Sequence, residues 1–221
     1  MVAAGGSGSR ARTDPEAIPK QFASLAGRPL WWWSADALAS FGCDPIIIVV
    51  PPKWVAPTMD AIEGRASVVA GGSSRQQSVS NGLAAVYSPV VVVHDGARPF
   101  PTRRIFQEVV ARLGDGFDGA VPGYPSGETL KEIERGAVVR TIDRAKFWAV
   151  QTPQAFITQT LKDAHRRARA DSIEATDCAQ LIEHYGGRVA IVNGDPTNIK
   201  VTYPHDLEVA STILARRAAR P

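Results

Sequence analysis

Four loops in the sequence carry residue types that do chemistry. The first is Ala3-Ala4-Gly5-Gly6-Ser7-Gly8-Ser9-Arg10, followed by Pro19-Lys20-Gln21-Phe22. Glycines let backbone N–H groups turn toward an anion without steric cost. Arg10 and Lys20 then add positive charge for a polyphosphate. On composition alone, a plain N-terminal tail accounts for the stretch equally well. It is not a Walker A loop, because Gly-Lys-Ser/Thr is absent. Gly6 to Ala11 fits the dinucleotide fingerprint only loosely, since that motif needs a full strand before it and a helix after it.

The second loop is Gly71-Gly72-Ser73-Ser74-Arg75-Gln76-Gln77-Ser78. It follows a strand and opens a helix, and a helix N-terminus favours an anion or a polar base edge. A capped helix start alone explains half of its polar residues. The third is His94-Asp95-Gly96-Ala97-Arg98-Pro99, directly after Val90–Val93. An Asp at the carboxyl end of a buried strand is costly unless it is solvated, paired or metal-bound. Asp95 reads as a Mg²⁺ ligand with Arg98 as an anion partner, or as half of an internal Asp95–Arg98 pair. His94 reads as structural. The fourth is Asn198-Ile199-Lys200-Val201-Thr202. Lys200 either points into a cleft or is an ordinary exposed edge residue.

These loops need elements to hold them. Strands are expected at Ile46–Val50, Ser67–Ala70, Val90–His94, Gly119–Pro122, Val138–Ile142, Arg188–Val192 and Ile199–Thr202. Their continuous apolar runs mark strands buried on both faces. Helices are expected at Ser34–Phe41, Pro57–Glu63, Arg75–Tyr87, Arg103–Leu113, Gln159–Ala168, Asp177–Tyr185 and His205–Arg217. Ser74 with Gln77 makes a capping box, and Thr102 and Thr176 are candidate N-caps. The alternation predicts a doubly wound α/β sheet. From Pro122 to Val150 the rhythm breaks. A hairpin is expected there, with strands Thr129–Glu134 and Ala137–Ile142 around an Arg135-Gly136 turn. A lone hairpin is marginal in water, so this segment reads as an arm that packs on a partner subunit.

Composition narrows the class. The chain has 221 residues, 44% hydrophobic and 21% charged, which excludes intrinsic disorder. The longest apolar run, Pro45 to Pro52, falls far short of the roughly 20 residues that cross a bilayer. Two distant cysteines, Cys43 and Cys178, exclude a disulfide scaffold and suit a reducing cytoplasm. The N-terminus lacks the basic and apolar pattern of a signal peptide. The net charge of +3 includes clusters on two helices, at Arg166, Arg167 and Arg169 and at Arg216, Arg217 and Arg220. Without interleaved aromatics these read as solvated faces, and no nucleic-acid partner is expected.

Taken in order, the motifs resemble one family, the 2-C-methyl-D-erythritol 4-phosphate cytidylyltransferases. The matching stretches are Ala-Ala-Gly with a later Arg at 3–10, Pro-Lys-Gln-Phe at 19–22, Leu-Ala-Gly-Arg-Pro-Leu at 25–30 and Gly-Gly-Ser-Ser-Arg-Gln-Gln-Ser-Val at 71–79. They continue with His-Asp-Gly-Ala-Arg-Pro at 94–99, Glu-Thr-Leu-Lys at 128–131, Asp-Arg at 143–144, Gln-Thr-Pro-Gln-Ala-Phe at 151–156, Thr-Asp at 176–177 and Asn-Ile-Lys-Val-Thr at 198–202. The resemblance covers almost the whole chain. It implies a Rossmann-like, mostly parallel sheet in one domain over 1–221, with a β-arm at about 123–150 that makes a homodimer. It also implies CMP transfer from CTP to a sugar-alcohol phosphate, with Mg²⁺. By the same resemblance Ala3, Ala4, Gly5 and Gly8 wrap the CTP phosphates and sugar, and Gly72 and Ser78 hold the cytosine. Asp95 carries the Mg²⁺, and Arg98 helps to hold the sugar phosphate. Arg10, Lys20 and Lys200 stabilise charge on the triphosphate during attack. Thr129, Arg144 and Thr152 match the family's contacts to the methylerythritol phosphate, in part across the dimer.

The sequence departs from the family pattern in places. Only Met1 and Val2 precede Ala-Ala-Gly, where a full strand is usual. A clipped central strand is expected to expose apolar edges. The glycine loop is one residue longer and the stretch from Arg10 to Lys20 is extended. Glu128 replaces the usual Asp, and Gly96 a common Ala. Trp31–Trp33 reads as packing the first helix on the sheet. Pentitol-phosphate cytidylyltransferases, such as the ribitol 5-phosphate enzymes, share many of these motifs. Arg75 to Ser78 and Glu128 to Lys131 favour the methylerythritol reading. A nucleotide-binding oxidoreductase is disfavoured for want of a proper fingerprint, and a non-catalytic binding protein would follow only from a lost CTP site.

Overall fold

The computed structural model describes residues 1–6 and 18–219. Strand β1 (Val2–Ala3) leads to a small hairpin, β2 (Ser24–Leu25) and β3 (Arg28–Pro29), and then to α1 (Leu30–Ser40). Next come β4 (Ile47–Val50), α2 (Val55–Ile62), β5 (Ser67–Ala70), α3 (Arg75–Ala84), β6 (Val90–Asp95) and α4 (Arg103–Gly114). The second half holds β7 (Gly119–Pro125), the hairpin β8 (Lys131–Glu134) and β9 (Ala137–Thr141), β10 (Trp148–Val150) and β11 (Gln154–Ile157). It ends with α5 (Thr158–Ala170), α6 (Cys178–His184), β12 (Val189–Asn193) and α7 (Asp206–Ala218).

Eight of the described strands form one sheet. Strands β5, β4, β1 and β6 run parallel side by side. Beyond β6 the sheet continues with β11, antiparallel to it, and then β7. Strand β12 pairs with β7 in parallel, and β10 pairs antiparallel with the carboxyl end of β7. Connections from β1 travel outward through β4 to β5 and then return to β6 on the other side of β1. The sheet therefore switches direction between β1 and β6, the place where open α/β sheets bind ligands.

Apolar side chains alternate between the two faces. Ile47, Val49, Val91 and Val93 pack against α3, α5 and α6. Ile46, Ile48, Val50 and Val92 pack against α1, α2 and α4. That two-sided cover explains why these strands read as unbroken apolar runs. β1 corrects the expectation of an exposed central edge. Its two residues pair on both sides, Val2 with Ile48 and His94 and Ala3 with Val49 and Asp95. Val2 is fully buried.

Three further expectations change. α1 begins at Leu30 rather than at Ser34, because burying Trp31 outweighs the weak helix preference of a Trp run. Asp177, not Thr176, caps α6 and accepts from the Gln180 N–H at 2.9 Å. Thr176 instead bonds the Gln180 side chain. Residues 199–202 form no strand. Only Val201 makes a backbone bond there, to the Ala97 carbonyl at 2.9 Å, and side-chain tethers replace the ladder. The hairpin β8–β9 is present, turned by Arg135 and Gly136 at φ of 49° and 82°, values of a type I′ turn. It pairs with no other described strand, and all its residues are exposed.

Candidate active site

The switch point opens into a cavity of about 390 Å³. Its walls come from loops at the carboxyl ends of the parallel strands. Ala3 ends β1 and Ala4 and Gly6 follow it, Ser73 and Ser74 follow β5, and Gly96 and Ala97 follow β6. Charged side chains enter from separate places. Lys20 sits on a one-turn 3₁₀ segment, Arg75 opens α3, Asp95 ends β6 and Lys200 comes from the loop before α7.

Asp95 is the electrostatic centre. Lys200 Nζ lies 2.6 Å from its Oδ2, Arg75 Nη2 is 3.5 Å from Oδ1, and Arg98 Nε is 3.8 Å from Oδ2. Burial alone would push the Asp95 carboxyl up. Lys200, Arg75 and Arg98 outweigh it and hold the group well below the usual carboxylate range. Arg98 stands behind the cavity, with Nη1 donating to the Asn198 carbonyl at 2.8 Å.

A neutral hydrogen-bond chain backs the strand end. The Asp95 N–H donates to Thr152 Oγ1 at 3.0 Å, and that hydroxyl lies 2.9 Å from His94 Nδ1. His94 Nε2 is 2.9 Å from the Arg98 carbonyl. A carbonyl only accepts, so Nε2 carries the proton and Nδ1 accepts from Thr152. Burial lowers the His94 pKa to about 4, which keeps the ring neutral. Asn198 Nδ2 donates to the Thr152 carbonyl at 2.8 Å, tying the Lys200 loop to the same support.

The Gly71–Ser78 loop closes the other wall. Ser78 is buried, and its hydroxyl accepts from the Gly72 N–H at 3.1 Å and donates to the Ser74 carbonyl at 2.8 Å. A Cβ at Gly5 would meet Ser78 Oγ at 2.6 Å, and one at Gly71 would meet it at 2.8 Å. Glycine is required here because three backbone segments approach around one serine. Ser74 caps α3 by accepting from the Gln77 N–H at 3.1 Å.

The sequence-derived residues thus divide. Ala3, Ala4, Lys20, Asp95 and Lys200 line one cavity, and Gly5, Gly72, Ser78 and Arg98 support its walls. Thr152 turns its hydroxyl inward to His94, away from the cavity. Thr129 and Arg144 lie on the exposed segment around the hairpin, with Arg144 Nη1 donating to the Gly127 carbonyl at 2.7 Å. They are not brought to the cavity of this chain. Gly8 and Arg10 lie outside the described residues. Arg75 is an addition. Its position in a loop that reads as a ligand site was the available signal, but a first-turn side chain can leave a helix in several directions.

Among the described residues, the serines of the cavity have no activating base. Ser73 and Ser74 are bonded to Gln77, and His94 is sealed behind the strand. Fixed cations around an accessible space suit an anionic substrate better than a protein nucleophile.

Residues 1–216 match the family described as IspD: 2-C-methyl-D-erythritol 4-phosphate cytidylyltransferase. The chain belongs to this family. It is 39% identical over 214 residues to the 2-C-methyl-D-erythritol 4-phosphate cytidylyltransferase of Aquifex aeolicus (strain VF5), covering 97% of this chain and 96% of that one. It is 41% identical over 219 residues to a bifunctional IspD/IspF enzyme of Nitratidesulfovibrio vulgaris (strain DP4), spanning 94% of this chain and 55% of that relative. Among solved structures, the 2-C-methyl-D-erythritol 4-phosphate cytidylyltransferase of Thermus thermophilus superposes with a TM-score of 0.79 at 38% identity, over 90% of this chain and 95% of that one. The fold of this chain agrees with that of the solved structure. Among the described residues no helix is long and apolar enough to cross a membrane.

Proposed function

We propose that the chain transfers CMP from CTP to 2-C-methyl-D-erythritol 4-phosphate, giving 4-diphosphocytidyl-2-C-methyl-D-erythritol and pyrophosphate. One observation carries this reading. Lys20, Arg75 and Lys200 converge on one cavity at the switch point, around the Asp95 carboxylate. In the reaction a phosphate oxygen of the acceptor forms a bond to the α-phosphorus of CTP. The α–β anhydride bond breaks, and its electron pair leaves with pyrophosphate. Both reactants are anions, so the work left to the protein is alignment and charge stabilisation. Lys20 and Lys200, with Arg10, supply the charge. The glycine loop with Ala3, Ala4, Gly5 and Gly8 follows the triphosphate and sugar, and the Gly72–Ser78 wall takes the cytosine.

A divalent ion, Mg²⁺, belongs to this reading. Among the described residues no group of three His, Cys, Asp or Glu could hold a metal. Among the described residues Asp95 is the one carboxylate lining the cavity, and three cations already hold it. This donor set fits an ion whose other ligands are substrate phosphates, the usual habit of Mg²⁺. Asp95 would be the protein ligand of such an ion, which would supply charge neutralisation at the triphosphate.

Arg98, Thr129, Arg144 and Thr152 serve the acceptor phosphate in this reading. Thr129 and Arg144 reach it from the partner of a homodimer built through the arm. The arm exposes Ile133, Val138, Val139 and Phe147, a surface that a partner would cover. Two free cysteines fit a cytoplasmic enzyme. The test is a pyrophosphate-release assay with CTP and Mg²⁺, run in parallel on methylerythritol phosphate and ribitol 5-phosphate. Turnover is expected with the first and little with the second, and UTP is expected to be a poor donor. Faster turnover of ribitol 5-phosphate would move the reading to a pentitol-phosphate enzyme.

A further inference from the structure

Gln21 is one residue beyond Lys20 on the 3₁₀ segment Lys20–Phe22, and it is 4% exposed. Its carboxamide nitrogen donates to the Ala4 carbonyl at 2.6 Å and to the Gly6 carbonyl at 2.9 Å. A primary amide has two N–H donors, one for each of these acceptors. Ala4, Gly6, Lys20 and Gln21 all line the cavity. On the far side the segment is fixed by Phe22, whose ring stacks on Trp54 at 4.2 Å between centroids and 25° between planes.

The chemistry gives this contact a purpose. A loop that receives a polyphosphate must present donors, while each of its carbonyl oxygens carries partial negative charge. Two carbonyls bordering the cavity would repel the anion unless a donor occupies them. Gln21 occupies both, and the same side chain anchors the turn that carries Lys20. A hydrophobic or acidic side chain here would leave two carbonyls without partners beside the charged ligand.

We infer that Gln21 is a positioning residue for the donor nucleotide. It masks the Ala4 and Gly6 carbonyls from the triphosphate and locks the Lys20 turn to the glycine loop. The inference rests on the proposed role of Lys20 and of the cavity as the triphosphate site. Its effect belongs to the phosphates and leaves the base site untouched.

The test compares Gln21→Leu, Gln21→Met and Gln21→Glu with the wild-type protein, measuring calorimetric affinity for CTP and for cytidine together with kcat. Losing two buried hydrogen bonds beside an anion predicts CTP binding weakened about tenfold to a hundredfold, with kcat reduced as well and cytidine affinity unchanged. Gln21→Glu is expected to be worse than Gln21→Leu at alkaline pH. It should recover relative to wild type as the pH falls, since a protonated carboxyl donates one bond. The Met variant, close to Gln in length, keeps the test usable if Leu does not fold. Equal weakening of CTP and cytidine, or unchanged CTP affinity in a folded variant, overturns the inference. If Lys20→Ala keeps the full rate while Gln21→Leu loses CTP, the reading of Lys20 fails instead.

Discussion

Two buried histidines weaken the fold in acid. His94 is held neutral within its hydrogen-bond chain, and burial lowers its pKa to about 4. His165 on α5 is 5% exposed, neither ring nitrogen has a partner, and burial followed by the nearby Arg75 charge lowers it to about 4 as well. A histidine with a lowered folded-state pKa binds fewer protons folded than unfolded between the two values. Its native state is therefore at full strength above about pH 6.5 and loses ground as the pH falls toward 4. Each shift corresponds to on the order of 3 kcal/mol across that window. Asp95, held far lower in the folded state, adds to the loss only toward the acid end of this window, where the unfolded chain begins to protonate its carboxyl. Urea midpoints followed between about pH 7 and pH 4.5 should fall, and His165→Phe should flatten part of the slope. A midpoint independent of pH would contradict the burial argument. At this scale the sequence reveals side chains whose cost needs a partner, such as Asp95, and the positive residues beside glycine loops. It does not reveal that the Ser78 and Thr152 hydroxyls turn inward. The partners of Thr152, His94 and the Asp95 N–H, lie more than 50 residues away in the chain.

The elements matter here mostly through what holds their ends. The loop before α7 carries Lys200 without forming the strand that its apolar residues predict. It is fixed from two sides: Asn198 reaches the Thr152 carbonyl, and Asp206 Oδ2 accepts from the Thr202 and Tyr203 N–H groups at 2.7 and 2.8 Å. Slight burial raises the Asp206 carboxyl, but those two backbone donors and the nearby charges of His205 and Lys20 lower it further. Removing this carboxylate frees the segment two residues beyond Lys200. Asp206→Ala is expected to cost about 1 kcal/mol in stability. It should also lower kcat severalfold, while Asp206→Asn, which keeps an acceptor, stays closer to wild type. Steady-state kinetics beside thermal melts will separate the two, and a kcat unchanged in Asp206→Ala would remove the loop from the catalytic argument. Strand periodicity could not identify this device, since an apolar run reads alike in a ladder and in a tethered loop. Where two-sided burial sets the pattern, as in β4 and β6, the sequence signal was faithful.

The whole molecule is described by one sheet that gathers the cavity and one arm that leaves it. Lys20, Arg75, Asp95 and Lys200 of one chain meet at the β1/β6 switch, in the cavity proposed for the donor nucleotide. The proposed acceptor residues Thr129 and Arg144 are out on the arm, exposed and absent from that cavity. The hairpin was legible from its strand–turn–strand pattern and an arm toward a partner was inferred from its isolation, but which of its residues a partner would meet was not, for a pairing surface reads as any exposed strand. In the dimer reading each site takes Lys20 from one subunit and Arg144 from the other. Lys20→Ala and Arg144→Ala homodimers then each have two damaged sites and lose roughly 10²–10³ in rate. Unfolded together and refolded at equal amounts, half the dimers are mixed. Each mixed dimer has one site with both defects and one with neither. Activity should therefore return to about a quarter of wild type in an isologous dimer. If both residues act within one chain, every site in the mixture carries a defect and no activity returns.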